Sequence, residues 1–348
     1  MVIFAIGLMG SVRQNGWAEA SQAGGVVPAP AQPDHSTPGH PIALDVVVAD
    51  KSGSLVPGLE KKDFTLLIDG KPEKEFTVEA VDGAAHKDVQ PAEAIIVLDA
   101  VNERHQDVEY TRQQVAKFLR QNGGHLAVPT SVFLLTDAGV QVQPRPTTDG
   151  NSLAAYVDKL ELPWRYIDRR GGGAGVVEEF QLSLRLFMGI VESEAKKPNR
   201  KLLIWMGSGW PMLNGTVFRS TSKAQQEYFT SIVELSRKMR EGRMALYSIS
   251  GDLTLYKEYL NSVKAPREAD AGNLSLKVLM TQSGGDVVSS GTNLVDAINR
   301  ILPEAHAYYR LRFEGAPAEH ANEYHELKVI VEQPGVTART RTCYYAQP

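Results

Sequence analysis

The sequence lacks the residue patterns that several common binding chemistries require. Its one cysteine, Cys343, excludes an internal disulfide framework and any metal cage built from cysteine ligands. The formal net charge is -4 and no basic block is present, which argues against nucleic-acid binding. No apolar run approaches the roughly 20 residues that a membrane-spanning helix needs. We therefore expect neither a nucleic-acid partner nor a transmembrane span.

The chain does contain enough apolar material for a sizeable core. Hydrophobic residues make up 43% of its 348 residues and charged residues 22%, which is typical of globular domains. This length predicts two domains, or one large domain with additions.

The N-terminal 41 residues have the composition of an export signal followed by a tether. Residues 2–10 (VIFAIGLMG) form a short apolar run, and residues 18–20 (AEA) match a signal-peptidase site, although a basic n-region is missing. Residues 21–41 are rich in Ala, Gly and Pro, which is typical of a solvated linker. The sequence therefore predicts a signal peptide over 1–20, a linker over 21–41, and a secreted or periplasmic protein.

Both flanks of the remaining chain, 42–90 and 306–348, have β composition. Their predicted strands lie at 42–49, 64–68, 75–81, 308–313, 326–331 and 339–345. Asp69 and Gly70 favour a tight hairpin turn between the second and third of these strands. Because domain termini often lie close together, we expect both flanks to pack into one small β-sandwich.

The middle of the chain, 91–305, alternates strand and helix patterns, which predicts a parallel sheet with crossover helices. The predicted strands are 94–100, 131–135, 140–143, 201–206, 244–249 and 287–288. The predicted helices are 106–121, 153–160, 180–195, 224–240, 274–282 and 293–302. The run 94–98 (AIIVL) is typical of a strand buried on both faces. We expect a doubly wound, mostly parallel six-stranded sheet in the order 3-2-1-4-5-6, with this strand at its centre.

A carboxylate, Asp99, stands directly after that central strand. Open α/β sheets place their ligands at the carboxyl ends of their strands, so Asp99 is a candidate site residue. The same residue type is also a common helix N-cap, and the predicted helix 106–121 follows it. The residues alone leave both interpretations open.

The order of these elements resembles that of a von Willebrand factor type A domain. The flanks, with residues 63–71 (DFTLLIDGK), 203–205 (LIW) and 308–311 (YYRL), resemble the secreted VWFA-related family described from acidobacteria. The resemblance covers residues 42–345 and rests on the ordered combination of elements. It implies a doubly wound, Rossmann-like α/β fold and a protein-binding role without catalysis.

Type A domains often hold Mg²⁺ through an Asp-x-Ser-x-Ser run, a Thr from a later loop and a second Asp. Here Asp99 matches, but Val101 and Glu103 stand at the two Ser positions. The span 149–215 contains no Thr, and Ser208 or the glycine before it takes the position of the second Asp. Mg²⁺ needs an octahedral set of oxygen ligands, so this set is degenerate. We expect no metal or cofactor; any ion would have to rely on Asp99, Glu103 and Ser208.

The strand ends and the loop 161–175 together predict a binding face at the carboxyl edge of the sheet. That loop is rich in Trp, Tyr and Arg, which are enriched at binding hot spots, although its aromatics could equally fill a satellite core. We also expect Asn102 or Glu103 to hydrogen-bond Ser208. The candidate binding face comprises Asp99, Asn102, Glu103, Ser208, Trp164, Arg165, Tyr166 and Arg169.

Two other functional classes remain as alternatives. Residues 207–209 (GSG) suggest a serine hydrolase, but Met206 stands where a nucleophile elbow needs Gly. Residues 171–175 (GGGAG) suggest a dinucleotide loop, but they follow a loop and not a strand. No nucleophile with its activating base is recognisable, so we expect a non-enzyme. The alternatives are a hydrolase or nucleotide-dependent enzyme, and a structural envelope protein with an idle face.

Overall fold

The computed structural model describes residues 41–82, 91–143, 145–162, 172–211, 213, 221–249, 254–288 and 293–348. The strands are, in chain order, β1 (Pro41–Asp50), β2 (Phe64–Ile68), β3 (Lys71–Glu73), β4 (Phe76–Asp82), β5 (Glu93–Asp99), β6 (His125–Thr136), β7 (Gly139–Val142), β8 (Thr147–Asp149), β9 (Lys201–Met206), β10 (Met244–Ser248), β11 (Ala307–Glu314), β12 (Glu323–Val331), β13 (Val336–Arg339) and β14 (Cys343–Ala346). The predicted signal peptide and nearly all of the linker lie outside the described residues.

The α-helices are α1 (His105–Leu119), α2 (Gly150–Asp158), α3 (Gly172–Ala195), α4 (Ser222–Glu241), α5 (Leu276–Ser283) and α6 (Leu294–Ile301). Short 3-10 helices lie at Lys61–Asp63, Gln121–Gly124, Thr254–Leu260, Pro266–Glu268, Ala271–Leu274 and Leu302–Ala305. Within the described ranges, no helix is both long and apolar enough to cross a membrane. Asn293 caps α6, because its side-chain oxygen accepts the Val295 N–H at 2.9 Å.

The middle of the chain forms a sheet in the order β10-β9-β5-β6-β7, and β8 also pairs with β6. The pairs β5–β6, β5–β9 and β9–β10 are parallel, whereas β7 and β8 run antiparallel to β6. An α/β fold with a mostly parallel sheet is therefore confirmed. All seven residues of β5 are buried, as expected of an interior strand.

The predicted strand at 287–288 is present only as a single parallel bridge. Val287 pairs with Ser248 at the edge beside β10, and the Val288 N–H donates to the Ser248 backbone oxygen at 2.9 Å. The sheet takes its sixth strand from β8 instead, which the sequence analysis did not predict. Thr147–Asp149 contains no apolar residue, so hydrophobic periodicity does not mark it, and backbone pairing with β6 defines it.

Helices cover both faces of this sheet. Ile95 and Val97 belong to a core shared with α3, α4 and α5, whereas Ile96 and Leu98 belong to a core shared with α1, α2 and α6. Alternate side chains of a strand point to opposite faces, so one continuous apolar run serves both cores. The helix α3 begins at Gly172, earlier than the predicted 180, because its glycine-rich first turn has no apolar period.

The two flanks form two four-stranded antiparallel sheets, in the orders β13-β1-β11-β4 and β14-β12-β2-β3. Each sheet takes strands from both ends of the chain. Leu44 and Leu311 of the first sheet share a core with Leu66 and Leu327 of the second. The flanks therefore enclose one apolar layer between two sheets.

Two predictions for the flanks are wrong, one about strand pairing and one about where a strand ends. The turn at Asp69 and Gly70 joins β2 to β3, whereas the predicted partner at 75–81 becomes β4 and pairs with β11 in the other sheet. The predicted strand 339–345 is divided into β13 and β14, which lie in different sheets. The short strand β3 (KPE) has no alternating apolar residues, so periodicity does not mark it as the partner of β2. The pattern over 339–345 likewise does not locate the break between β13 and β14.

Candidate functional site

The candidate binding face lies where β5 and β9 end side by side. Val97 lies opposite Trp205 in the parallel pairing. Because side chains two residues apart share a face of a strand, Asp99 and Trp205 point to the same side of the sheet. This register brings a carboxylate and an indole together under the carboxyl edge.

The carboxylate of Asp99 is buried and accepts four hydrogen bonds. Its Oδ1 accepts the backbone N–H of Val101 at 3.1 Å and that of Asn102 at 3.0 Å. Its Oδ2 accepts the Asn102 side-chain amide at 2.7 Å and the Trp205 indole N–H at 3.1 Å. Only 1% of Asp99 is exposed, so these donors replace water around the carboxylate.

Burial raises the pKa of Asp99 above its ordinary value, and the nearby charge of Glu103 acts in the same direction. The hydrogen bonds from Asn102 and Trp205 oppose the rise by favouring the charged form. Burial is the largest of these effects.

The interpretation of Asp99 as the cap of the next helix is wrong. The N-cap position of α1 is Arg104, whose own side chain makes no capping hydrogen bond. Five residues separate Asp99 from the first residue of the helix, so its carboxylate cannot reach the helical N–H groups. It instead closes the turn that follows β5, because it accepts the N–H groups of Val101 and Asn102.

Asn102 connects this turn to α3. Its side-chain amide lies 3.1 Å from the hydroxyl oxygen of Ser183, which also donates to the backbone oxygen of Glu179 at 2.8 Å. Asn102 and Ser183 are both buried. The polar side chains below the face therefore form one chain of hydrogen bonds, from Trp205 through Asp99 and Asn102 to Ser183.

Glu103 connects the β5 turn to the turn after β9. Its Oε1 accepts the Ser208 hydroxyl at 2.6 Å and the Ser208 backbone N–H at 2.5 Å. Of the two residues expected to bond Ser208, Glu103 does so, whereas Asn102 points inward. Gly207 makes this approach feasible: its φ is +147°, and a Cβ there would lie 3.0 Å from the Glu103 carboxylate.

The residues present do not fit a Mg²⁺ site of the type A kind. Both oxygens of Asp99 accept N–H donors, and Val101 has no ligand atom. The Glu103 carboxylate is bound by Ser208. Across the residues that the structure describes, no group of three or more His, Cys, Asp and Glu side chains could hold a metal ion. The hydrogen bonds instead join the turn after β5 to the turn after β9 and to α3.

Four members of the candidate binding face lie outside the described residues: Trp164, Arg165, Tyr166 and Arg169. The structure brings Asp99, Asn102, Glu103 and Ser208 together. It also adds Trp205 and Ser183, which the sequence analysis did not assign to the site. A tryptophan in a buried strand needs an acceptor for its N–H, and this requirement was the available signal for Trp205.

Comparisons with known proteins identify no family. No protein-family model matches the chain. No curated protein matches it either. Among solved structures, the human COPII-coat protein Sec24c is similar at 8% sequence identity and a TM-score of 0.33, over 78% of this chain and 46% of that chain. The chain thus spans less than half the length of Sec24c, and a similarity this weak assigns no function.

Proposed function

We propose that this chain is a non-catalytic protein-binding module of the von Willebrand factor type A kind, exported to the periplasm or the cell exterior. Its strand order would be 3-2-1-4-5-6, with β5 as strand one and β9 as strand four. The parallel pairing of β5 with β9 supports this assignment. Its partner is a protein that docks on the candidate binding face.

The observation that carries the proposal is the saturation of Asp99. A metal-dependent face needs a carboxylate whose oxygens are free to bind the ion and a partner carboxylate that completes the shell. Here four N–H donors occupy the Asp99 oxygens, and Glu103 holds Ser208. Recognition therefore relies on the shape and hydrogen bonding of a preformed face, and it does not require a divalent ion.

The same contacts favour binding over catalysis. The Ser208 hydroxyl donates to a carboxylate that also accepts the Ser208 backbone N–H. This arrangement ties the hydroxyl into the turn, whereas a nucleophile needs a base that is itself oriented by a third group. The enzyme and the idle envelope protein remain the alternatives that the following experiment distinguishes.

The test is capture of a partner from the periplasmic and secreted fractions of the native host. The baits are the wild-type chain, Ser208→Arg on the face, and Lys62→Glu on the sandwich as the control. Ser208 and Lys62 are both exposed. We expect the wild type and Lys62→Glu to retain one specific protein in EDTA, and Ser208→Arg to lose it. Equal retention by all three baits, or loss in EDTA, would contradict the proposal.

A further inference from the structure

A small cavity lies between the β-sandwich and the α/β unit, at the amino-terminal edge of the parallel sheet and therefore opposite the candidate binding face. Its volume is about 30 Å³. Its walls come from β1, from Arg200 just before β9, from the start of β10, from the ends of α4 and α5, and from the segment between β13 and β14. The side chains that matter are Asp45, Arg200, Arg240, Arg243 and Arg341.

The charges around this cavity do not balance. Asp45 is the one acidic residue among the described residues that line it, whereas four arginines line it. Two of these arginines already share Asp45: Arg200 Nε lies 3.3 Å from its carboxylate and Arg243 Nη2 lies 2.9 Å from it. A further arginine outside the cavity, Arg310, approaches the same carboxylate at 3.5 Å.

Arg240 and Arg341 differ from these arginines in their partners. Neither forms an ion pair with any acidic residue in the described part of the chain. Arg341 is 8% exposed, and its guanidinium donates to the backbone oxygen of Ser236 at 3.3 Å. Burial lowers the pKa of Arg341 to about 10; the neighbouring Arg240 acts in the same direction, whereas Cys343 and Asp45 oppose the shift. Buried charges are ordinarily paired, so the buried guanidinium of Arg341, with the half-buried Arg240 beside it, needs a counter-charge.

We propose that this cavity binds a small monovalent anion, the size of chloride or formate, between Arg240 and Arg341. Guanidinium groups bind chloride and carboxylate oxygens through the same N–H donors. A cavity of this volume admits about one or two water-sized groups, which excludes a nucleotide or other organic cofactor. Because both structural units supply its walls, the bound anion would hold the sandwich to the α/β unit.

The experiment compares thermal unfolding of the full chain in sodium chloride, sodium formate and sodium gluconate at equal ionic strength. Gluconate is too large for the cavity and reports the anion-free protein. The variants are Arg240→Gln and the control Arg237→Gln, which lies one turn earlier on α4 and pairs with Glu241 at 2.9 Å. Arg240 is only half-buried and donates no hydrogen bond to a described residue, so its replacement leaves the fold intact.

We expect chloride or formate to raise the unfolding midpoint of the wild type by about 2–4 °C in a saturable manner, because a ligand that binds only the folded state stabilises it. Arg237→Gln should behave identically. Arg240→Gln should weaken the anion dependence by about tenfold or more, since it removes a charged partner. In gluconate it should raise the midpoint, because it removes a repulsive neighbour of Arg341.

Broadening of the ³⁵Cl resonance by the wild type, and its loss in Arg240→Gln, provides a second readout that does not depend on unfolding. A response to formate alone would identify a carboxylate as the ligand, and a response to chloride would identify a halide; either supports the site. Equal midpoints in all three salts together with no specific broadening would overturn the proposal. So would an identical anion dependence in Arg240→Gln and Arg237→Gln.

Discussion

The indole N–H of Trp205 donates to the Asp99 carboxylate across 3.1 Å, between two fully buried side chains on neighbouring parallel strands. The Trp205 ring packs edge-on against Phe187 at 6.0 Å and against Trp210 at 5.5 Å, between ring centroids. The carboxylate at the end of the central strand is therefore anchored to the aromatic core. Its oxygens accept hydrogen bonds from the protein beneath the candidate binding face, so they are not free to bind a ligand.

The first prediction concerns Asp99. Replacing it by Ala removes the acceptor of four buried N–H donors, among them the indole of Trp205. Each such orphan costs about 1–3 kcal/mol, so we expect Asp99→Ala to lower the free energy of unfolding by about 3–5 kcal/mol. A lost helix cap would cost only about 1 kcal/mol.

Urea unfolding of the purified chain measures this difference. The control is Asp107→Ala, which removes a more exposed carboxylate paired with Arg104 in the first turn of α1 and should cost less than about 1 kcal/mol. Similar losses for the two variants would mean that Asp99 is not the anchor inferred here.

The second prediction concerns the bond between Glu103 and Ser208. Ser208→Ala removes the hydroxyl donor but keeps the backbone N–H bond to Glu103, whereas Glu103→Ala removes both. A double-mutant cycle in urea should therefore yield a coupling free energy of about 1 kcal/mol, with Glu103→Ala the costlier single change. A coupling free energy of zero would show that the two turns are held together by something else.

The third prediction concerns divalent ions. Because the Asp99 oxygens are occupied and Val101 offers no ligand, titration calorimetry with Mg²⁺ or Mn²⁺ should show no saturable binding at micromolar concentrations. Saturable micromolar binding that Asp99→Ala abolishes would identify a working metal centre and refute the proposed metal-independent face.

Much of the architecture was accessible from sequence, and two strands show why. The predicted bounds of β9, 201–206, agree with the structure. An apolar run that begins after a basic segment and ends at a glycine turn predicts a buried strand with clear ends. The continuous apolar run of β5 predicts an interior strand for a similar reason, and the structure confirms it. By contrast, β8 has no apolar residue, so periodicity does not predict it.

The interior of the site was less accessible. Trp205 is 106 positions from Asp99, and Ser183 is 81 positions from Asn102. Such contacts depend on which helix covers which face of the sheet, and local spacing does not encode that. The assignment of Asp99 as a cap failed because the turn before α1 is long enough to form its own hydrogen bonds.

The fourth prediction concerns export. If residues 2–10 act in a signal peptide, cleavage after Ala20 leaves the Pro-rich segment at the new N-terminus. Intact-mass spectrometry of the protein from the periplasmic or secreted fraction of its native host should find the chain beginning at Ser21. An intact Met1 on a cytoplasmic species would rule out this processing.

The last prediction concerns Lys201, whose side chain is fully buried at the start of β9. Its ammonium group donates to the backbone oxygens of Lys197 at 2.5 Å, Asn199 at 2.7 Å and Gly242 at 3.1 Å. Burial lowers its pKa from 10.5 to about 8, and the carboxylates of Glu194 and Glu93 oppose that shift.

Because the pKa of Lys201 is lower in the folded chain than in the unfolded chain, the unfolded chain binds more protons between pH 8 and pH 10.5. The contribution of Lys201 to stability is therefore fully present above pH 10.5 and is lost as the pH falls through about 8. Lys201→Met removes this titration and leaves three buried oxygens without a donor, so it should be less stable at every pH.

The test measures the unfolding free energy of the wild type and of Lys201→Met by urea unfolding from pH 7 to pH 10, and takes the difference between them. Taking the difference cancels the titration of the buried Cys343 and the tyrosines, which both chains share. We expect the difference to grow as the pH rises through 8, whereas the same difference for the exposed control Lys328→Met should stay flat. A difference that shrinks or stays constant with pH would contradict the lowered pKa. It would mean that the three backbone oxygens stabilise the ammonium more than burial destabilises it.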